Sequence, residues 1–578
     1  MRDSGMDRPH RNVALALILA VAAVAFFWRL GALPFYSKGE PREAVQIIEA
    51  VHHNAWVLQL RNGIHLPSKP PLFHWLGAFC ALARGQIDEL SARLPSAIVA
   101  TLVLLLTFGL GARTWGTAAG LYAACILATN FEWLRAARAA RVDMVLAGAL
   151  TGAFVALQAV TAAATPSARA LWALYLCIAA AVLAKGPVGV ALPGLVALAY
   201  LTLRHDLGRL RAMHLVRGTV IVLLVAGTWY GLAIWQGGEA FVHKQIMWEN
   251  VTGFVGKQGH GHPHRFYYQV PGFVVGFLPW SPFLVPLAVF LYRQRGVLEA
   301  RGYLYPLVWF AGILFFFSVS SQKRTVYMLP AYPAAALLLG AWWSQLQETD
   351  SPEGRATWRW LTAAAWTVVL VFVVLAGLVV GELLGLAPLA HLRPHLHHTD
   401  QANIAVVQAV IQAQPRVLAG VVAVLLAAAA AFAVATRRRR PAAALGALVV
   451  LTLGCASIVY GSVQPALAQR RTLKPFAAEV AQVVGPTGRL ISYGRADYSV
   501  VFYLQRHIEE LRRGVAPPPA PGARVHVLLW QHAWDALSPA DQVRHRIVLR
   551  SRGTGPEGRE ALLLTELTTV QGSERTRE

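Results

Sequence analysis

Charge is scarce in this chain of 578 residues: Asp, Glu, Lys and Arg together make up 14% of it. Soluble globular chains carry about 25%, so the deficit excludes an ordinary water-soluble fold. Cysteine is scarcer still. Cys80, Cys125, Cys177 and Cys455 all lie in or beside apolar segments, with no metal-like spacing. A disulfide framework is therefore excluded, and small apolar packing roles remain. Acidic residues are also few, 29 against 52 Lys and Arg, for a formal charge of +23. Much of that excess sits in short segments between apolar runs, where it orients helices in a bilayer. It is not a nucleic-acid footprint.

What the chain has in abundance is apolar length. Apolar runs fall at 13–30, 93–111, 117–130, 143–163, 170–183, 187–203, 215–233, 270–291, 303–318, 327–345, 359–381, 417–436 and 442–461. Most reach the roughly 18 to 20 residues that cross a bilayer core; the third and fifth are short. The prediction is an all-α polytopic membrane protein with about 13 transmembrane helices in residues 1–462. With the N-terminus in the cytoplasm, the returning segments carry Arg113, then Arg204, Arg209, Arg211 and Arg217, then Arg293, Arg295 and Arg301, then Arg355 and Arg359, then Arg437 to Arg440. This bias agrees with the positive-inside rule throughout. The first run follows Arg2, Arg8 and Arg11 and precedes no small-residue cleavage site, so it is expected to be a retained anchor. An odd number of spans puts the tail, 463–578, outside. Strand-like runs from Arg489 to Tyr493 and from Val525 to Trp530, helical stretches and a turn at Pro517 to Pro521 predict a small soluble α/β domain there. No internal repeat of the transporter kind is visible.

Polar groups are costly near a membrane, so their clustering points to function. The outer segment 31–92 is too polar to span and holds amphipathic stretches near 41–52 and 70–84, expected to lie in the interface. Glu40 follows Gly39, a residue that permits an unusual turn, and Arg42 and Glu43 come next. Lys69 stands between Ser68 and two prolines. A carboxylate can act as base on an acceptor hydroxyl, and cations can stabilise a leaving phosphate. A solvated loop ending in helix-dipole acids explains the same residues equally well. Asp143, after Arg135, Arg138 and Arg141, is a second carboxylate at a helix start, where an N-cap is the structural alternative. Lys185, then His264, Arg265 and Tyr267, then Lys323 and Tyr327 complete the outer-face candidates. His260, His262 and His264 alternate, but their glycine- and proline-broken spacing fits no standard zinc pattern, so no metal ligand is assigned.

Six segments in this order resemble the bacterial branch of the protein O-mannosyltransferase superfamily, and especially the lipid A aminoarabinose transferases. They are the acidic start of the first outer segment, SKPPLFHW from Ser68, ARAARVDM from Ala137, AKGPVGVALP from Ala184, HPHRFYYQVPGFVVGFLPWSP from His262 and KRTVYMLPAYPAAALLLG from Lys323. The resemblance covers essentially the whole chain. It implies a C-type membrane glycosyltransferase with a polyprenyl-phosphate sugar donor and inversion at the sugar. The active site would lie at the outer face of a bacterial inner membrane, and the acceptor would be a lipid A-like glycolipid, a glycan or a protein. It also implies catalytic carboxylates at Glu40 and Asp143, with Glu40 taking over from a missing aspartate or the base lying elsewhere, a substrate-binding Arg42 that matches the family's arginine, and Lys69, Lys323 and Tyr327 at the donor phosphate. Two positions depart from the family pattern. Gly39 stands where the family has an aspartate, and Ser68 where the aminoarabinose transferases often have an acid. No cofactor follows firmly, though a divalent cation is compatible with the chemistry. A transporter of lipid-linked sugars and a noncatalytic relative are the alternatives.

Overall fold

A computed structural model describes residues 7–252, 264–347, 352–395, 398–511, 524–555 and 560–567. His260, His262 and the turn at Pro517 to Pro521 lie outside the described residues. The predicted apolar runs are all helical. Among the described residues, nine helices are long and apolar enough to cross a membrane. The run at 270–291 is a broken pair, Phe266–Gly276 and Ser281–Arg293, bent by 115°. The runs at 117–130, 187–203 and 303–318 form helices of 12, 16 and 16 residues, shorter than the about 20 residues a full crossing needs.

In chain order the first helices are α1 (Asp7–Ala22), α2 (Gly39–His52), α3 (Leu72–Arg84), α4 (Glu89–Trp115), α5 (Thr117–Ala128), α6 (Phe131–Ala137), α7 (Val142–Ala162), α8 (Ala168–Lys185) and α9 (Val188–Leu203). α5 is short because it is a packing helix. It lies against α4 and the Tyr332–Ser344 helix, and glycines bring the backbones together. A Cβ at Gly120 would lie 2.5 Å from the Phe108 carbonyl oxygen, and one at Gly340 2.5 Å from the Ala123 nitrogen. Lipid tails give helices no hydrophobic drive to associate, so close approach and dispersion contacts hold such a bundle together. α2 and α3 are the two amphipathic stretches of the first outer segment, and they pack on each other.

The C-terminal part carries strands β1 (Arg489–Tyr493), β2 (Glu509–Leu511), β3 (Val525–Trp530), β4 (His545–Arg550) and β5 (Leu562–Leu567) in the order β2-β1-β3-β5-β4. β1 runs parallel to β2 and β3, and β5 pairs antiparallel with β3 and β4. The β1 and β3 bounds are those expected from sequence. β3 is buried at all but its last position and β1 at its three central ones, as expected of strands inside a covered sheet.

This sheet domain is fastened to the first outer segment by polar contacts. The Asn62 amide donates to the Ile508 carbonyl and its oxygen accepts from the Ile508 N–H, each at 2.8 Å. His65 lies 2.8 Å from Glu510. The Tyr503 hydroxyl donates to Glu89 at 3.0 Å and accepts from the Phe35 N–H at 2.7 Å. Lys474 reaches the same Glu89 carboxylate at 2.8 Å.

Candidate active site

The site is built by helix ends meeting at one level. α7 and α8 have 21 and 18 residues and form an antiparallel hairpin. At about 1.5 Å per residue, the start of α7 and the end of α8 lie at the same height. Asp143, in the first turn of α7, therefore meets Lys185, the last residue of α8, in an ion pair. Both charges suit their helix dipoles: an acid at an N-terminus, a cation at a C-terminus. Gly186, with φ 79°, then turns the chain sharply toward α9. The Lys185 ammonium stands 4.0 Å from the centre of the Tyr327 ring, a cation–π contact.

α2 brings its N-terminal turn to the same place. Gly39 is helical rather than turned, and nothing lies within 4 Å of where its Cβ would be. The unusual turn that Gly39 permits is not used, since Lys38 before it already has αR backbone angles. Glu43 and Arg42 pair at 2.7 Å, and the other Glu43 oxygen lies 3.0 Å from His74. Burial pushes the Glu43 carboxyl up, but the Arg42 guanidinium and His74 outweigh it and hold the group well below the usual carboxylate range.

These groups surround a cavity of about 740 Å³, the size of a cofactor- or headgroup-binding site. From the membrane domain it is lined by Lys38, Gly39, Arg42, Glu43, Lys69, Arg141, Asp143, Lys185, Arg324 and Tyr327. The sheet domain adds Arg495, Asp497, Tyr498, Trp530, His532 and Glu560 as a roof. Seven Lys and Arg side chains face four carboxylates, so the cavity favours an anion. Lys69 is held 3.0 Å from Glu249, which Lys244 also approaches at 3.2 Å. Asp497 caps the Tyr498–Leu504 helix through the Ser499 N–H at 2.8 Å, and burial raises its carboxyl above the ordinary value.

Of the residues expected from sequence, the structure gathers Arg42, Lys69, Asp143, Lys185 and Tyr327 around this cavity. Glu40 lies outside the lining. Its two oxygens accept from Arg93 at 2.7 and 3.1 Å, and one also accepts the Ala140 N–H at 3.1 Å. Burial raises the Glu40 carboxyl, but Arg93 and the Ala140 N–H together bring it below its usual value. This is the geometry of an anchor, not of a free base. Lys323 is buried and donates to the Ser320 carbonyl at 2.6 Å, and its neighbour Arg324 lines the cavity instead. His264 stacks on Tyr268 at 3.9 Å, and Arg265 donates to the Tyr267 hydroxyl at 3.0 Å. All three, His264, Arg265 and Tyr267, are exposed and lie outside the lining. Sequence reasoning did not assign Glu43, Arg141, Arg324 or the roof residues. A signal for Glu43 did exist: it lies four residues after Gly39, on the same helix face.

The depressed Glu40 value sets an acid limit on stability. A carboxyl whose folded pKa is lowered contributes stability above its unfolded pKa of about 4.3, which is lost as pH falls through the folded value. Wild type is therefore expected to lose melting temperature progressively below about pH 4.3. Glu40→Gln, already less stable at neutral pH, should show a shallower acid decline. Parallel declines in thermal melts across that range would show that Glu40 is not the group responsible.

Residues 68–230 match the family described as dolichyl-phosphate-mannose-protein mannosyltransferase. An uncharacterized protein of Aquifex aeolicus is 28% identical over 324 residues, 56% of this chain and 62% of the relative. The undecaprenyl phosphate-alpha-4-amino-4-deoxy-L-arabinose arabinosyl transferase of Pectobacterium atrosepticum is 25% identical over 344 residues, 59% of this chain and 61% of the relative. The chain thus spans about three fifths of the length of these curated relatives. In structure the likeness runs end to end. The crystal structure of ArnT from Cupriavidus metallidurans bound to undecaprenyl phosphate aligns with a TM-score of 0.75 at 22% identity, over 95% of this chain and 97% of that one. The fold is ArnT-like. The same protein in its apo state aligns with a TM-score of 0.74 at 21% identity. The ArnT-like fold therefore includes the C-terminal sheet domain as well as the helices, and the sequence resemblance to this superfamily agrees with both comparisons.

Among the described residues, one group of side chains could hold a metal ion: Glu49, His53 and His507. None of the three lines the cavity.

Proposed function

We propose that this chain is an inverting glycosyltransferase of the bacterial inner membrane. It moves a sugar from a polyprenyl-phosphate carrier to a phosphate-bearing lipid acceptor in the cavity between the membrane domain and its roof. The N-terminus lies in the cytoplasm, and the cavity and sheet domain lie in the periplasm. The observation that carries this reading is a cation-rich cavity at helix ends, covered by the sheet domain. It is supported by a fold shared with a protein bound to undecaprenyl phosphate.

In the reaction an acceptor oxygen attacks the anomeric carbon, and the bond from that carbon to the carrier phosphate oxygen breaks. The electron pair leaves with the phosphate. Lys69, Lys185 and Arg324 stabilise the charge that develops there. A single displacement inverts the anomeric centre.

The acceptor class follows from the carboxylates. Glu43 is held ionised by Arg42 and His74, and Asp143 is paired with Lys185. A carboxylate so stabilised is a weak base, poorly matched to removing a hydroxyl proton. A phosphate acceptor is already anionic and needs no such base, so the two acids position cations and acceptor. Glu43 occupies this cavity one helical turn beyond Gly39, and we place there the acid that the family carries at position 39. Glu40 acts as a positioning residue through Arg93.

The test uses purified full-length protein, radiolabelled undecaprenyl-phosphate sugars and lipid extract as acceptor. Wild type should pass label to the extract. Asp143→Asn and Glu43→Gln should reduce transfer by about 10²-fold or more, and adding Gly39→Asp to Glu43→Gln should restore part of the loss. Movement of intact lipid-linked sugar between vesicle leaflets without release of sugar would replace this reading with a transporter. Transfer that survives both substitutions would remove the site assignment.

A further inference from the structure

We infer that Glu49, His53 and His507 form a binding site for a divalent transition cation, zinc by donor chemistry, that fastens the sheet domain to α2. This proposal concerns a different place from the cavity and does not depend on the sugar or acceptor.

The geometry begins with helix spacing. Glu49 and His53 are four residues apart at the C-terminal end of α2, where His53 is the cap, so their side chains share one face. His507 reaches that face from the sheet domain, between the Tyr498–Leu504 helix and β2. One donor atom from each of the three lies within 4.8 Å of the others. The His507 Nε2 is 2.8 Å from a Glu49 oxygen, and the two imidazole rings stack with centres 4.2 Å apart and planes 23° apart. A zinc ion sits about 2.0 to 2.2 Å from nitrogen and carboxylate donors. It can take the place of the proton shared between Glu49 and His507 after a small opening of that pair.

The surroundings support a held donor set. The same Glu49 oxygen accepts the Gly63 N–H at 3.2 Å, a contact of the kind that orients a ligating carboxylate. Gly63 has φ 67°, and a Cβ there would lie 2.8 Å from the His507 ring. The loop therefore closes on the imidazole and limits its positions. Glu49 is buried while both histidines are exposed, so the fourth tetrahedral position opens to water. Two imidazoles, one carboxylate and a water make a recurrent zinc set.

Beside a plain Glu49–His507 ion pair His53 would contribute only its stacking on the His507 ring and no donor atom, and that difference decides the test. The full chain, purified without a histidine tag and stripped with chelator, would be titrated with zinc alone in parallel with His53→Ala and His507→Ala. Sites elsewhere in the chain cancel in the comparison. Wild type is expected to take up one equivalent more than either variant. Zinc should raise its melting temperature, since a ligand bound only by the folded state stabilises it, and the rise should be absent in both variants. Cobalt should give tetrahedral d–d absorption in wild type only. His53 is exposed, so His53→Ala without metal should melt with stripped wild type and report on binding alone. Equal zinc uptake in wild type and His53→Ala, or uptake lost in His507→Ala only, would overturn the three-donor site.

Discussion

Replacing Lys185 by alanine is expected to lower kcat/KM for the lipid-linked donor by about 10² to 10³, the loss seen when one preorganised donor to a developing oxyanion is removed. Lys185 ends α8, pairs with Asp143, rests on Tyr327 and faces the cavity. Its charge is thus oriented before substrate arrives, and no reorganisation is needed when the phosphate leaves. The single substitution also leaves Asp143 facing an anionic donor without its counter-ion. The double change Lys185→Ala with Asp143→Asn separates these effects. If Lys185 served only to neutralise Asp143, the double variant would be no slower than Asp143→Asn alone. If the ammonium contacts the phosphate, the double variant is slower than Asp143→Asn alone, which is the expected result. Initial rates at several donor concentrations give the comparison. A Lys185→Ala enzyme within a few-fold of wild type would remove Lys185 from the phosphate site.

The helices were legible because apolar length is a local property of sequence. So were β1 and β3, whose buried apolar runs end at recognisable turn residues. β2, with three residues, and β4, with none of its six positions buried, carry no comparable pattern. Which side chains reach the cavity is not a local property. Glu40 and Glu43 stand less than one helical turn apart. Their directions differ enough that Glu40 meets Arg93 in the interior while Glu43 lines the cavity.

Lys323 and Arg324 show the same effect in extended backbone. Arg324 has φ −141° and ψ 143°. Neighbours in such a chain point to opposite sides, so the choice of Lys323 over Arg324 missed the cavity by one residue. The roof could not be read at all. Arg495, Trp530, His532 and Glu560 reach the cavity only because the sheet domain docks on the first outer segment. That docking runs through Asn62, His65 and Glu89, contacts more than 380 residues apart in sequence.

Arg93→Ala, just beyond the first outer segment in α4, is expected to destabilise the protein by about 3 to 5 kcal/mol, because it strands a buried carboxylate. Arg93 is 3% exposed. It gives two hydrogen bonds to Glu40 and one each to the carbonyls of Leu30 and Leu33, at 3.0 and 2.7 Å. Its guanidinium also lies 5.2 Å from the centre of the Phe35 ring. This single side chain ties the end of the first span, the start of α2 and the start of α4. Paired replacement of a buried ion pair by apolar residues is often close to neutral. Arg93→Met with Glu40→Leu should therefore recover much of the loss, but not all, since the Leu30 and Leu33 carbonyls lose their donor. Thermal unfolding in one detergent should rank wild type above the double variant and the double above Arg93→Ala. Activity should follow a different order. α2 carries Gly39, Arg42 and Glu43 to the cavity, so both variants are expected to turn over donor more slowly than wild type even where they remain folded. An Arg93→Ala protein that melts with wild type would show that this pair does not hold α2 in place.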